Sequence, residues 1–153
     1  MLNTSTTLFD AGGHRNVLLP DFSAGGVAVQ ANQHLIIHGG EGMILDPGGH
    51  KVYSKVLGAT SNELRGAKLR YLFLSHQDPD IVAASNGWLM TTDADAYISA
   101  LWTRFVPHFG LDRQAMAVVL EEDVAVRAVV EKNGAGHGSA SGRVERAGVR
   151  GRA

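Results

Sequence analysis

The chain has 153 residues, 44% of them hydrophobic and 19% charged, and its formal net charge is −1. This composition fits one globular domain, and the near-neutral charge gives no case for a nucleic-acid partner or a membrane surface. The absence of cysteine excludes disulfides, thiolate metal sites and cysteine nucleophiles, which leaves histidine, aspartate and glutamate as strong ligands for iron, manganese or zinc.

The first half of the chain predicts short strands joined by tight turns. Apolar and β-branched residues favour strands at 17–20, 27–30, 34–38 and 43–46. Gly39-Gly40-Glu41-Gly42 between the last two predicts a hairpin. Asp46-Pro47-Gly48-Gly49 then predicts a turn.

Helices and strands alternate after this turn. A helix is predicted over 50–64, with Val52 and Val56 at helical spacing, and a nearly continuous apolar strand over 69–75, typical of a strand covered on both faces. A second helix is predicted from about Asp80, then a strand at 97–99 and a helix over 100–109. Residues 116–130 fit a helix or a strand equally well.

The strongest chemical signal is Ser75-His76-Gln77-Asp78-Pro79-Asp80, directly after the apolar strand. One imidazole and two carboxylates at the end of a strand indicate a metal site, because open α/β sheets place their chemistry there. Pro79 biases Asp78 toward an extended backbone. We expect Asp80 to cap the following helix as well as face the site.

The hairpin, the Leu45-Asp46-Pro47-Gly48 turn, a helix and a buried strand ending in this motif together resemble the metallo-β-lactamase superfamily. Its usual signature is His-x-His-x-Asp-His, whereas this chain has Asp78 at the second histidine and Ile81 at the last. A carboxylate at the second position resembles the branch of flavodiiron and oxygen-binding diiron proteins, which have His-x-Glu-x-Asp. The resemblance implies an αββα sandwich of mixed α and β structure, of which residues 1–115 form the N-terminal half.

The resemblance also implies a diiron site. His76 and Asp78 would hold one iron and Asp80 the other, with dioxygen bound or reduced between them. These three ligands are too few for a tight dinuclear centre, because each metal needs its own set. His137, in glycine-rich surroundings, falls roughly where the family has its next ligand.

Three function hypotheses stay open. The first is a diiron protein that binds or reduces dioxygen, an oxidoreductase only if the site is completed and if a partner supplies flavin. The second is a zinc-dependent hydrolase of the same fold. The third is a non-catalytic fragment or interaction module with a degenerate metal site.

The other histidines and the two tryptophans have simpler interpretations. His34 and His38 share one face of a strand and are predicted to be ordinary half-exposed residues. His108, at the end of a predicted helix, is a weaker ligand candidate. Trp88 and Trp102 are predicted to pack in the core.

The end of the chain differs in composition, since all ten aromatic residues lie at or before Phe109. Residues 133–153 are rich in glycine and arginine and are predicted to be a disordered tail, with 116–132 undecided. The change suggests a truncated gene or a shifted reading frame. An incomplete sandwich would leave an apolar sheet face exposed, which predicts a homo-oligomer or another partner. With no signal peptide and no apolar run near the roughly 20 residues of a membrane span, we predict a cytoplasmic protein.

Overall fold

A computed structural model describes residues 4–26, 28–110 and 116–118. Its centre is a seven-stranded sheet whose strands lie side by side in chain order. The first four strands pair antiparallel, and the fourth to the seventh pair parallel. The strands are β1 (Thr6–Ala11), β2 (His14–Leu18), β3 (His34–His38), β4 (Glu41–Leu45), β5 (Lys68–Leu74), β6 (Asp95–Ser99) and β7 (Met116–Val118).

The helices of the described part lie in the connections between the parallel strands. Helix α1 (Tyr53–Leu64) joins β4 to β5, and α2 (Pro79–Val82) and α3 (Ser85–Thr91) join β5 to β6. A 3-10 helix (Thr103–Phe109) follows β6. Parallel neighbours need such crossovers, because a tight turn cannot bring the chain back to the start of the next strand.

Most of the predicted elements are present, and the hairpin is the clearest case. Gly39 and Gly40 form a two-residue turn between β3 and β4, with φ of 57° and 83°. Positive φ at both central residues is the requirement of the commonest two-residue hairpin turn, and glycine meets it without steric cost. Val52 and Val56 are buried as their helical spacing predicts.

Two predictions about secondary structure were wrong in part. The structure has no strand at residues 28–30, where Val29 is 69% exposed. In the sheet β2 pairs directly with β3, so the connection between them contributes no strand at this place. The helix predicted over 100–109 is a 3-10 helix that begins at Thr103, because Pro107 cannot donate the backbone bond that an α-helix needs there.

One face of the sheet carries the core. Residues directly opposite each other in register share a face, and one such row crosses five strands without a break. Every member of this row is fully or almost fully buried: Val17, Leu35, Ile44, Leu72 and Ala96. The row packs in one cluster with Val56 of α1 and Trp88 of α3, so the helices cover this face.

An ion pair joins the start of the sheet to the end of α1 on the same side. Arg15 is 8% exposed and its Nη1 lies 2.9 Å from Oε2 of Glu63. The same guanidinium also donates to the backbone carbonyl oxygen of Glu63. A guanidinium buried to this degree needs such partners, because an unpaired charge in the core would be strongly destabilising.

The opposite face of the sheet is only half-buried in the described part of the chain. Its row across β2 to β6 contains Leu18, His34, Leu45, Phe73 and Tyr97. The prediction that β5 is covered on both faces is therefore met on the helix side alone among the described residues. Self-association through the half-buried face stays a prediction.

Two tyrosines on this half-buried face predict an alkaline limit to stability. The rings of Tyr71 and Tyr97 lie 5.9 Å apart. Burial raises the pKa of both hydroxyls above the ordinary value of 10.0, and the carboxylates of Glu41 beside Tyr71 and of Asp95 beside Tyr97 raise it further. A pKa raised by folding means that the folded state favours the neutral phenol. Stability is therefore fully present below about pH 10 and falls as the pH rises through the folded-state values.

Replacing both tyrosines by phenylalanine keeps the rings and removes the titrating groups. The free energy of unfolding is measured by urea denaturation below and above pH 10, for wild type and for the Tyr71→Phe, Tyr97→Phe double variant. The two proteins are then compared by how strongly this free energy depends on pH. We expect the unfolding free energy of the variant to fall less steeply above pH 10. Equal slopes in the two proteins would contradict this prediction.

Candidate metal centre

The candidate site lies where β4 and β5 end beside each other. Since these strands are parallel, their carboxyl ends meet at the same edge of the sheet. Asp46 follows β4 and donates its backbone N–H to the carbonyl oxygen of Phe73 over 2.8 Å. Ser75 and His76 follow β5. The loop after β5 ends at Pro79, the first residue of α2.

The structure brings two of the three predicted ligands together. Nε2 of His76 lies 3.5 Å from Oδ2 of Asp78, and the two side chains are 41% and 55% exposed. Asp78 has φ −67° and ψ 145°, the extended backbone that Pro79 predicts for the residue before it. The pair thus faces solvent at the sheet edge with its donor atoms turned toward each other.

Asp80 occupies a different position from the one predicted. It lies in the first turn of α2, and the residue at the N-cap is Asp78, whose side chain makes no capping hydrogen bond. The prediction that Asp80 caps the helix was wrong, because Pro79 takes the first helical position, where its fixed φ and missing N–H fit best. Asp80 lines a cavity of about 330 Å³ with Gly49, Val52 and other residues of the neighbouring loops.

Sequence reasoning missed a hydrogen-bonded chain behind His76. The carboxylate of Asp46 accepts the backbone N–H of Ser75 at Oδ1 (2.8 Å) and the hydroxyl of Ser75 at Oδ2 (2.9 Å). The same hydroxyl oxygen lies 2.7 Å from Nδ1 of His76. The sequence showed Asp46 as a turn residue only. The sequence did contain one indication of this contact. Asp46 follows β4 and Ser75 follows β5, and polar residues that follow neighbouring parallel strands lie at the same edge of a sheet.

The remaining histidine candidates do not join this group. His34 and His38 are half-buried on β3, as predicted, and His38 lies opposite Glu41 at the end of β4 away from Asp46. The ring of His38 contacts that of His14 at a centroid distance of 5.5 Å. His108 is exposed in the 3-10 helix. His137 and residues 119–153 lie outside the described residues.

The donor set fits part of a metal site. A separation of 3.5 Å allows Nε2 of His76 and Oδ2 of Asp78 to bind one ion, because metal–ligand distances to such atoms are about 2.0–2.2 Å. Within residues 4–26, 28–110 and 116–118, however, no three histidine, cysteine or acidic side chains are grouped so that they could hold a metal ion. The described residues therefore offer two facing donor atoms, and they do not group the ligands that a dinuclear centre needs.

One protein family matches most of the chain. The family described as "ODP family beta lactamase" matches residues 29–132, more than half of the chain. These matched residues include 116–132, whose secondary structure the sequence left undecided. No curated protein matches the chain.

Two solved structures of one sensor protein are similar to the chain. The apo state of the chemotaxis sensor ODP from T. denticola is 33% identical with a TM-score of 0.55, and the match covers 74% of this chain and 44% of that one. A peroxy diiron species of chemotaxis sensor ODP is 35% identical with a TM-score of 0.58, over 75% and 45% of the two chains. The chain spans less than half the length of these structures.

A zinc enzyme shares the fold at much lower identity. The metallo-β-lactamase FIM-1 from Pseudomonas aeruginosa, in its mono-zinc form, is 13% identical with a TM-score of 0.56, over 78% of this chain and 53% of that one. This likeness confirms the metallo-β-lactamase fold predicted from the motif order. Of the helices that the structure describes, none combines the length and apolar character needed to span a membrane. From the family match over residues 29–132, the chain is a member of the ODP family of β-lactamase-like proteins.

Proposed function

We propose that this chain binds iron through His76 and Asp78 and serves to bind dioxygen, as a relative of the diiron chemotaxis sensor. The observation that carries the proposal is the facing pair at the sheet edge, with Nε2 of His76 3.5 Å from Oδ2 of Asp78. Both side chains are half exposed, so an ion and a small ligand can reach them without movement of the fold.

The chemistry of the donors favours iron over zinc. Asp78 gives the pair an anionic oxygen donor where a zinc hydrolase of this fold has a second imidazole. Carboxylate and imidazole together suit non-haem iron that reacts with oxygen, and bound iron would supply open positions for dioxygen. The chain's own residues hold and orient these donors. The proposal is dioxygen binding rather than reduction, because reduction needs electrons from a flavin partner.

A non-catalytic interaction module is the second candidate function. The observation in its favour is that the described residues group no three possible ligands around one point. A dinuclear centre needs donors beyond His76 and Asp78, and Asp80 is not grouped with them in the structure. A zinc-dependent hydrolase has the support of the shared fold only.

Metal loading separates these candidates. The full chain is loaded with Fe(II) without oxygen, a second sample with Zn(II), and both are desalted before elemental analysis. We expect the chain to retain iron and its absorption spectrum to change when air is admitted, with no such change in the zinc sample. Retention of zinc but not iron would favour the hydrolase. Retention of neither metal would overturn the proposal in favour of the interaction module.

A further inference from the structure

The hydrogen bonds behind His76 determine where its ring proton lies. Ser75 has a single hydroxyl proton, whereas the ionised carboxylate of Asp46 can only accept. The 2.9 Å contact between these groups is therefore a bond donated by Ser75 to Oδ2 of Asp46. With its proton committed, the hydroxyl oxygen can only accept in its second contact, which is the 2.7 Å contact with Nδ1 of His76.

We propose that Ser75 and Asp46 are positioning residues that hold neutral His76 as the Nδ1–H tautomer, so that Nε2 presents its lone pair toward Asp78. The tautomer assignment rests on the two contacts of the Ser75 hydroxyl, at 2.7 Å and 2.9 Å, which are both shorter than the 3.5 Å from Nε2 to the carboxylate of Asp78. Its consequence for metal binding rests on the proposed function. A free imidazole in water, which lacks the hydrogen bonds made by Ser75 and Asp46, favours the opposite tautomer. In that tautomer Nε2 carries the proton and cannot bind a metal.

The backbone conformation of Asp46 supports a role for this residue in positioning Ser75. Asp46 has φ of 53°, and Asp46 and Arg65 are the two described non-glycine residues with positive φ. A left-handed backbone is disfavoured at a residue with a side chain, although aspartate adopts it more readily than most. Here its N–H donates to the carbonyl oxygen of Phe73 and its carboxylate holds both donors of Ser75. The strained turn thus brings the end of β4 against the residue that holds His76.

Ser75 can be tested without strong effects on the fold, because its side chain is exposed. Ser75→Ala removes the hydroxyl and leaves Nδ1 of His76 without its acceptor. Ser75→Thr is the matched control, since it keeps a hydroxyl at the same carbon. Loss of an outer partner of this kind lowers metal affinity about 10–100-fold in other proteins.

The tautomer is measured in the metal-free protein by nitrogen-15 NMR of the histidine rings at alkaline pH. We expect His76 of the wild type and of Ser75→Thr to carry the proton on Nδ1, and His76 of Ser75→Ala to move to the Nε2–H form. His50, exposed on the surface, gives the reference for an unconstrained ring. A wild-type His76 with its proton on Nε2 would overturn the inference whether or not the variants fold.

Titration with metal is a second, independent test of the positioning role of Ser75. Calorimetric titration with Fe(II) without oxygen should show weaker binding by Ser75→Ala, about 10–100-fold, with affinity restored in Ser75→Thr. If wild type has the Nδ1–H tautomer but binds no iron, the proposed function fails and the tautomer inference stands. If iron binds equally well to wild type and Ser75→Ala, the positioning role is refuted while the proposed function survives.

Discussion

Replacing Trp88 by alanine is expected to lower the free energy of unfolding by about 3–5 kcal/mol, because deleting a large buried side chain leaves a cavity in the core. Trp88 is fully buried in α3 and packs in the main core cluster with the row of apolar residues on the sheet. Its ring also meets Tyr53 of α1 edge-on, at 5.6 Å between centroids. One side chain therefore contacts the sheet and connects two helices, and removing it leaves a cavity at their junction.

Trp88→Phe gives a graded comparison. It keeps most of the apolar contact and removes the indole Nε1, which is buried without a hydrogen-bond partner among the described residues. Because an unsatisfied buried donor costs about 1–3 kcal/mol, its removal offsets part of the lost packing, and we expect a smaller loss than for alanine. Urea unfolding followed by far-ultraviolet circular dichroism measures both.

Trp102→Ala is the control for the loss of a tryptophan as such. Trp102 is only partly buried, at the edge of the smaller cluster formed by Leu74 and its neighbours. We therefore expect less destabilisation than for Trp88→Ala. Equal losses at the two positions would show that the core does not depend on Trp88 in the way that the packing indicates.

Features that depend on residues adjacent in the chain were predicted correctly, whereas features that depend on strands distant in the chain were not. The Gly39-Gly40 hairpin and the extended backbone of Asp78 depend on residues adjacent in the chain, and both were predicted correctly. The strand expected at residues 27–30 is absent from the described residues 28–30, because β propensity alone does not supply a strand to pair with, and β2 pairs directly with β3 on either side of this connection.

The same limit applies to the candidate site. His76 and Asp78 are two residues apart, so their juxtaposition could be predicted from the motif itself. The role of Asp46 could not, because it depends on β4 and β5 being parallel neighbours in a register that pairs Leu45 with Phe73. Only then does the turn after β4 lie against Ser75, 29 residues later in the chain. Asp80 is a third case, where the helix start at Pro79 determined the position of a residue that the motif had assigned to the metal.

The second large effect is expected from His76→Ala, which should lower the affinity for Fe(II) by more than about 100-fold. Outer partners of a metal ligand contribute about 10–100-fold, so a direct ligand contributes at least the upper end of that range. His76 is one of only two facing donors among the described residues, and Asp78 alone would hold the ion by a single carboxylate. The fold should be unaffected, because the side chain is 41% exposed and outside both core clusters.

His108→Ala is the matched control, since it removes an exposed imidazole that the sequence had offered as a weaker ligand candidate. Calorimetric titration with Fe(II) without oxygen, with circular dichroism to confirm folding, compares the two variants with wild type. We expect wild-type affinity in His108→Ala and loss of binding in His76→Ala. Unchanged affinity in His76→Ala would show that the ligand assignment is wrong for any metal. A loss confined to His108→Ala would move the site to the 3-10 helix, away from the edge where β4 and β5 end.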